Sequence, residues 1–377
     1  MTTTRRDYLK AIGKGLAAAV VAEGAMPFAL AARSESKADA GKLAMPGPYR
    51  GRVASVENPA VLVSGHYQAE AVRQMMRRGM MELTGADGWV DAWRCFFEPG
   101  DVVGIKVSPV GQPLVDSDAT VVQEIVVGLQ AAGVKPQDIV AYDRYRDQFY
   151  GAGYDKWLPE GVRISCAVKT FDFTQQGIDG YDPDHYMDMA LTLPGYTVDN
   201  LTARRSYAAR FITREVNKLI NLPCLKDHQS AGITLALKNL SHGLVNNVNR
   251  SHATSSLNAC NAFIPAVVAM PVIRNKTVLH ILDGVRGVYH GGPGASPQFV
   301  WEHKTLYFAT DPVALDRLGW QAIDAKRVSV GLKKLVEDTP DQFSTFVHRQ
   351  PEHVEIAGAL GLGEWEWRKI EERHVKL

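Results

Sequence analysis

Val102-Val103-Gly104-Ile105-Lys106-Val107 is an apolar run broken only by one lysine near its end. A strand covered on both faces reads this way, because neither face alternates with water. Asp116-Ser117-Asp118 then offers N-cap oxygens. Val121, Val122, Ile125, Val126 and Leu129 follow at helical spacing and stop at Gly133. Ile139-Val140-Ala141-Tyr142 is a second apolar run, closed by Asp143. Strand, helix and strand in that order form a βαβ unit, which needs a parallel sheet under helices. Apolar runs at 216–222, 277–282 and 305–309 extend the sheet, and Pro312 opens a helix carrying Val313, Leu315, Leu318 and Ile323. The expected fold is α/β, a mostly parallel sheet with helices on both faces. Residues 66–84 add a helix whose Val72, Met75, Met76, Met80 and Leu83 stripe is core packing. Residues 151–215, dense in Gly, Pro, Asp and Tyr, are expected to be a loop-rich insertion. Glu364-Trp365-Glu366-Trp367 reads as the start of an amphipathic terminal helix.

The N-terminus does not belong to this pattern. Thr4-Arg5-Arg6-Asp7-Tyr8-Leu9-Lys10 precedes a weakly apolar stretch and then Ala29-Leu30-Ala31. A charged start, a modest apolar run and small residues make an export signal over residues 1–31. The paired arginines resemble a twin-arginine signal, and Gly13, Gly15 and Gly24 keep the run less hydrophobic than a membrane span. An amphipathic helix or tail anchor is the alternative. Residues 32–58, rich in Ala, Gly, Ser, Lys and Pro, read as a linker, and the α/β domain as 59–377. The expected location is periplasmic or otherwise exported, with the twin-arginine machinery as a partner and no stable membrane insertion after cleavage. That route carries folded cargo and so favours a cofactor, without identifying one. With 42 Lys+Arg against 41 Asp+Glu, the chain lacks the basic excess of a protein held to nucleic acid by counterion release. Cys95, Cys166, Cys224 and Cys260 contain no C-x-x-C pair, so a zinc ribbon is not expected. Buried free thiols or disulfides both remain open.

In sheets of this kind ligands sit beyond the carboxyl ends of the strands. That rule collects Lys106, Asp143, Lys226, Asp283 and Asp311 on one side of one sheet. The densest polar segment runs from Asn221 to Gly243 and contains Lys226, His228, Thr234, Lys238, Asn239 and His242. Lysine is seldom buried without a partner, so each lysine either snorkels to solvent or lines a polar cavity. Asp283-Gly284 and Asp311-Pro312 are also ordinary turn and helix-start chemistry. Asp316 reads as a hydrogen-bond acceptor that supports the fold. The 290–296 loop lacks either nucleotide-binding spacing; a lid or an anion nest is open to it.

Six blocks occur in order: Ile105-Lys106; Leu225-Lys226-Asp227-His228; Thr234-Leu235-Ala236-Leu237-Lys238-Asn239-Leu240; Asp283-Gly284-Val285-Arg286-Gly287 with Gly291-Gly292-Pro293; Thr310-Asp311-Pro312-Val313-Ala314-Leu315-Asp316; and Gly358-Ala359-Leu360-Gly361-Leu362-Gly363. Together they resemble the domain-of-unknown-function 362 family. Many relatives carry a cysteine-rich ferredoxin module. This chain has only four cysteines, so electron transfer through such clusters is not expected.

The expected function is an exported protein with a Lys/His-lined pocket for a small anionic ligand, an enzyme working by acid–base chemistry. Lys226, His228 and Lys238 are the catalytic candidates. Lys106, Asp143, Thr234, Asn239, Asp283 and Asp311 are the substrate-binding candidates. Clustered ammonium groups lower one another's pKa, which suits one of them to proton transfer. A non-catalytic binding protein for an anion or a metal complex is the alternative. His228 and His242, with an aspartate, are candidate metal ligands.

Overall fold

The computed structural model describes residues 41–252 and 258–377. The export signal expected at 1–31 and the first part of the linker lie outside the described residues. The fold is α/β, built on a ten-stranded, mostly parallel sheet. Its strands are β1 (Arg52–Glu57), β4 (Val103–Lys106), β5 (Ile139–Tyr145), β6 (Arg163–Val168), β9 (Lys218–Asn221), β10 (Cys224–His228), β11 (Gly232–Thr234), β12 (Thr277–Val288), β13 (Val300–Ala309) and β14 (Glu371–Lys376). Two hairpins stand apart, β2 (Leu62–Val63) with β3 (His66–Tyr67), and β7 (Tyr181–Asp188) with β8 (Arg205–Ala209). The main order is β14-β1-β13-β12-β9-β4-β5-β6, with β10 on β12 and β11 on β10.

Alternate residues along the strands feed two separate cores. Ala54, Ile139, Ala141, Leu306 and Phe308 face one; Val53, Val140, Tyr142, Tyr307 and Ala309 face the other. The period of two in an extended chain thus gives a sheet covered on both sides. The first core is closed by α1 (Ala69–Thr84), which brings Val72, Met75, Met76, Met80 and Leu83, and by α2 (Ala119–Ala131). Asp118 caps α2 through Thr120 N at 2.8 Å, and Gly133 follows in the left-handed region (φ +100°). The second core is closed by α3 (Ala236–Leu244), α4 (Cys260–Val268), α5 (Pro312–Ser329) and α6 (His353–Ala359). Among the described residues no helix is long and apolar enough to cross a membrane.

Three expectations about the elements change. The linker does not reach residue 58, because β1 lies between β13 and β14 with Val53, Ala54 and Val56 buried. The insertion is smaller than 151–215, since β6 joins the main sheet beside β5 and only the β7–β8 pair stands off. The chain does not finish in an amphipathic helix; a short turn at Trp367–Lys369 leads into β14, parallel to β1. β11 ends at Thr234, and Lys238 and Asn239 lie on α3.

Strand direction matters most for the site. β13 runs antiparallel to β12 and pairs Ala309 with His280, which itself pairs with Asn221. Residues beyond Ala309 therefore continue toward the amino ends of the parallel strands. Asp311 sits there, accepting from Gly51 N at 2.9 Å, Glu364 N at 2.8 Å, and Val313 and Ala314 N at 3.0 and 2.9 Å. It caps α5 and pins two loops, and both of its oxygens are taken up by backbone N–H groups. Its expected place in the ligand pocket is corrected.

Candidate functional site

The site is assembled where β9 stops. Asn221 is followed by Leu222 and Pro223, and proline has no N–H to continue a ladder. The chain steps sideways and resumes as β10, now paired with the far half of β12, Cys224 against Asp283 and Lys226 against Val288. Along β10, Lys226 and His228 share a face while Asp227 takes the other. Asp227 is held there by Arg349 at 3.0 Å and Gly292 N at 2.8 Å. That bond ties the 290–296 loop down through its second glycine. β11 pairs Thr234 directly with Lys226, so the two project to the same side.

The next turn places Lys238. α3 has no side-chain cap of its own. Its first two N–H groups, Ala236 and Leu237, donate to the Asp316 carboxylate of α5 at 2.7 and 3.0 Å. Asp316 is thus the supporting acceptor that its position suggested. On α3, Lys238 and His242 are four residues apart and share a face. Gly243 lets a neighbour through: a Cβ there would lie 2.1 Å from Lys106 Cε.

The three lysines are all buried, at 2%, 0% and 6% exposure for Lys106, Lys226 and Lys238, but they are not equivalent. Lys106 Nζ donates to Asp143 Oδ1 at 2.7 Å, Asn239 Oδ1 at 3.1 Å and Val107 O at 2.6 Å. An ammonium has three hydrogens, and all three are used. Asn239 also donates to Asn221 Oδ1 at 2.7 Å, and Asp143 Oδ2 accepts from Tyr145 N at 3.3 Å. Lys106, Asp143 and Asn239 are therefore a brace between β4, β5 and α3. Their expected role in contacting substrate is corrected to positioning. Lys226 Nζ donates to Val110 O and more weakly to Ser108 Oγ at 3.5 Å. Burial lowers its pKa. Thr234 Oγ1, on the residue opposite, is buried without a hydrogen-bond partner.

Lys238 Nζ has no hydrogen-bond acceptor among the described residues. Burial, together with the charges of Lys226 and Arg144, brings it down from 10.5 to about 8. Around it stand His228, His242, His252, His353 and Cys260, each sensing its charge. Burial, and then Lys238, hold the His228 and His242 imidazoles well below their ordinary value, and His353 down at about 3. These rings are neutral at physiological pH. His228 Nδ1 accepts from Ser230 N at 3.1 Å and Ala231 N at 3.2 Å, which leaves the ring proton on Nε2. Its ring stacks on His252 at 5.3 Å between centroids, and His242 lies 5.0 Å from His252.

Asp283 is in a different environment. It accepts from Tyr67 Oη at 3.0 Å, Asp118 N at 3.1 Å and Val285 N at 3.2 Å. Burial, and then the Asp118 charge, push its carboxyl up to about 7. Cys224, its partner across the sheet and two residues from Lys226 on β10, stands between it and the lysine cluster. A cavity of about 600 Å³ on the outer side of α5, lined by Arg317, Trp320 and Trp367 among others, is bordered by none of the expected site residues.

The structure thus brings Lys226, Thr234, Lys238, His228 and His242 together, braced by Lys106, Asp143 and Asn239. It leaves Asp283 at the margin and Asp311 outside. Sequence reasoning gave His252 no site role and missed Cys260 and His353 as members of this cluster. Spacing holds no signal for His353, which arrives on α6 from a distant part of the chain. Cys224 and Cys260 are buried free thiols, whereas Cys95 is exposed and Cys166 half-buried, also free.

The molecule is therefore an α/β protein with a buried Lys/His cluster beyond the carboxyl ends of its parallel strands. Residues 196–321 match a family described as a domain of unknown function, DUF362. The match takes in Lys226, His228, Thr234, Lys238, Asn239, His242, His252 and Cys260, and supports the resemblance carried by the four blocks that lie within it. No curated protein matches the chain. A solved structure of a Thermotoga maritima protein is similar at 13% identity, with a TM-score of 0.38, over 72% of this chain and 61% of that one.

Proposed function

We propose that the cluster around Lys238 binds a small anion, a carboxylate or a phosphate, and that the protein is an enzyme using Lys238 for proton transfer. In this reading Lys226 and Thr234 bind the substrate, and His228 donates through Nε2. The observation that carries it is Lys238, a buried lysine whose Nζ makes no hydrogen bond or carboxylate ion pair with the described residues, its one favourable charge partner being the Cys260 thiol. A buried charge without a partner is costly, and a bound anion supplies the missing one. The orphan Thr234 Oγ1 beside Lys226 fits the same ligand.

The test is thermal unfolding of the mature protein against small dicarboxylates, hydroxy acids, inorganic phosphate and phosphate monoesters. At a hundredfold excess over its Kd a true ligand stabilises by about 2.7 kcal/mol. A shift with one class, and turnover of that class detected by mass spectrometry, supports the proposal. A shift without product makes the protein a binding protein for that anion. No shift across the panel overturns the pocket.

The same proposal includes export, supported by Arg5-Arg6 and the weakly apolar run behind them. Replacing both arginines (Arg5→Lys with Arg6→Lys) is expected to retain the protein in the cytoplasm, as read by cell fractionation. Undiminished export of that variant removes the twin-arginine part and leaves the pocket standing.

A further inference from the structure

We propose that His242, His252 and Cys260 form a three-ligand site for a borderline divalent cation, zinc being the best match. Their ligand atoms all lie within 4.8 Å of one another. They come from three separate segments, α3, the turn Asn249–His252 and the first residue of α4. Convergence of this kind is not enforced by neighbouring sequence positions. In a tetrahedral zinc site with one thiolate and two imidazoles the donors stand roughly 3.3–3.6 Å apart, so contraction by about 1 Å closes this one.

A plain core explains the group less well. His252 Nε2 is buried with no hydrogen-bond partner, and buried polar atoms are seldom left so. Cys260 Sγ is fully buried, yet its neighbours are polar: Ser251 Oγ and the Ser251 carbonyl, each at 3.5 Å, and Ser230 Oγ at 4.0 Å. Ser251 Oγ also meets His242 Nε2 at 3.1 Å, so it spans two of the three donors. An entering ion takes that place as the partner of His242. Ser241 Oγ holds the other nitrogen of that ring at 2.9 Å, the kind of outer hydrogen bond that fixes a ligating imidazole. The choice of ion follows from the donors: thiolate with imidazole favours zinc over the hard cations magnesium and calcium. Lys238 opposes the site by repulsion, and the Cys260 thiolate offsets one of the ion's two charges. Three protein donors leave a fourth position open, the pattern of a catalytic rather than a structural zinc.

The inference stands independently of the anion proposal. The experiment uses the full mature chain, reduced and stripped with a chelator, and titrates Zn²⁺ against a chromophoric competitor. One equivalent is expected to bind. Cys260→Ser and His252→Ala are each expected to weaken it by roughly a hundredfold or more. The exposed thiol control, Cys95→Ser, is expected to leave it unchanged. Co²⁺ in place of Zn²⁺ should give the thiolate-to-cobalt charge-transfer band in the near ultraviolet. This readout needs only the wild-type protein, so a variant that fails to fold does not block the test. Failure of stoichiometric uptake, absence of the cobalt band, or full affinity in Cys260→Ser overturns the site. An anion-induced thermal shift that persists in a protein binding no zinc overturns only this inference. Tight zinc uptake with no anion response overturns only the earlier one.

Discussion

Replacing Lys106 with methionine is expected to destabilise the protein by about 3–5 kcal/mol, measured by urea unfolding. The reason is the carboxylate left behind. Lys106 and Asp143 are 2.7 Å apart with 3% and 6% of their side chains exposed. Removing the cation strands a buried anion, and Asn239 loses the donor that orients it. The double variant, Lys106→Met with Asp143→Leu, is expected to regain much of the loss, because an apolar pair of similar volume removes both desolvation costs. If Lys106→Met unfolds at the wild-type urea concentration, the brace does not carry the load assigned to it. A Gly243→Ala change acts on the same brace by driving a methyl into the Lys106 stem.

Lys238→Gln is expected to abolish the anion response and to lower turnover by 100-fold to 10,000-fold, the usual contribution of a proton-transfer group. Glutamine keeps the length and loses the charge. Because Lys238 Nζ makes no hydrogen bond within the described residues, the fold is expected to survive, and the free protein to unfold no more readily than wild type. The pH dependence has a definite sign. Folding lowers this lysine from 10.5 to about 8, so between those values the unfolded chain binds more protons than the folded one. The free protein is therefore stabilised by this group as pH rises through that window. Anion affinity runs the other way and falls as pH rises above about 8, where the ammonium is lost. An anion response unchanged in Lys238→Gln, or rising with pH, removes Lys238 from the proposed role.

Much of the scaffold was legible in the chain. The apolar runs at β4 and β5, the Asp118 cap and the Met stripe of α1 are local patterns, set by burial and by the helix period. The cluster was legible in part, because Lys226, His228, Lys238 and His242 fall in one segment with no plain structural need for them. Strand direction was not legible. An apolar run reads the same both ways, so β13 gave no hint that it turns back, and Asp311 was grouped with residues at the carboxyl ends of strands that run the other way. The roles of Lys106 and Asn239 were hidden for another reason. Whether a buried polar group has spare hydrogen-bonding capacity depends on partners far along the chain, such as Asp143 for Lys106. His252, Cys260 and His353 are brought in by packing, which no short window of sequence records.

The helix that presents Lys238 starts on a carboxylate lent by α5 and rests sideways on the Lys106 brace. Neither support is encoded next to the residues it serves. The chemistry-bearing stretch is consequently not a portable cassette. Grafted into another scaffold, or excised as residues 196–321, it would keep Asp316 but leave Lys106 and Asp143 behind, and the lysine would be tethered without being aimed.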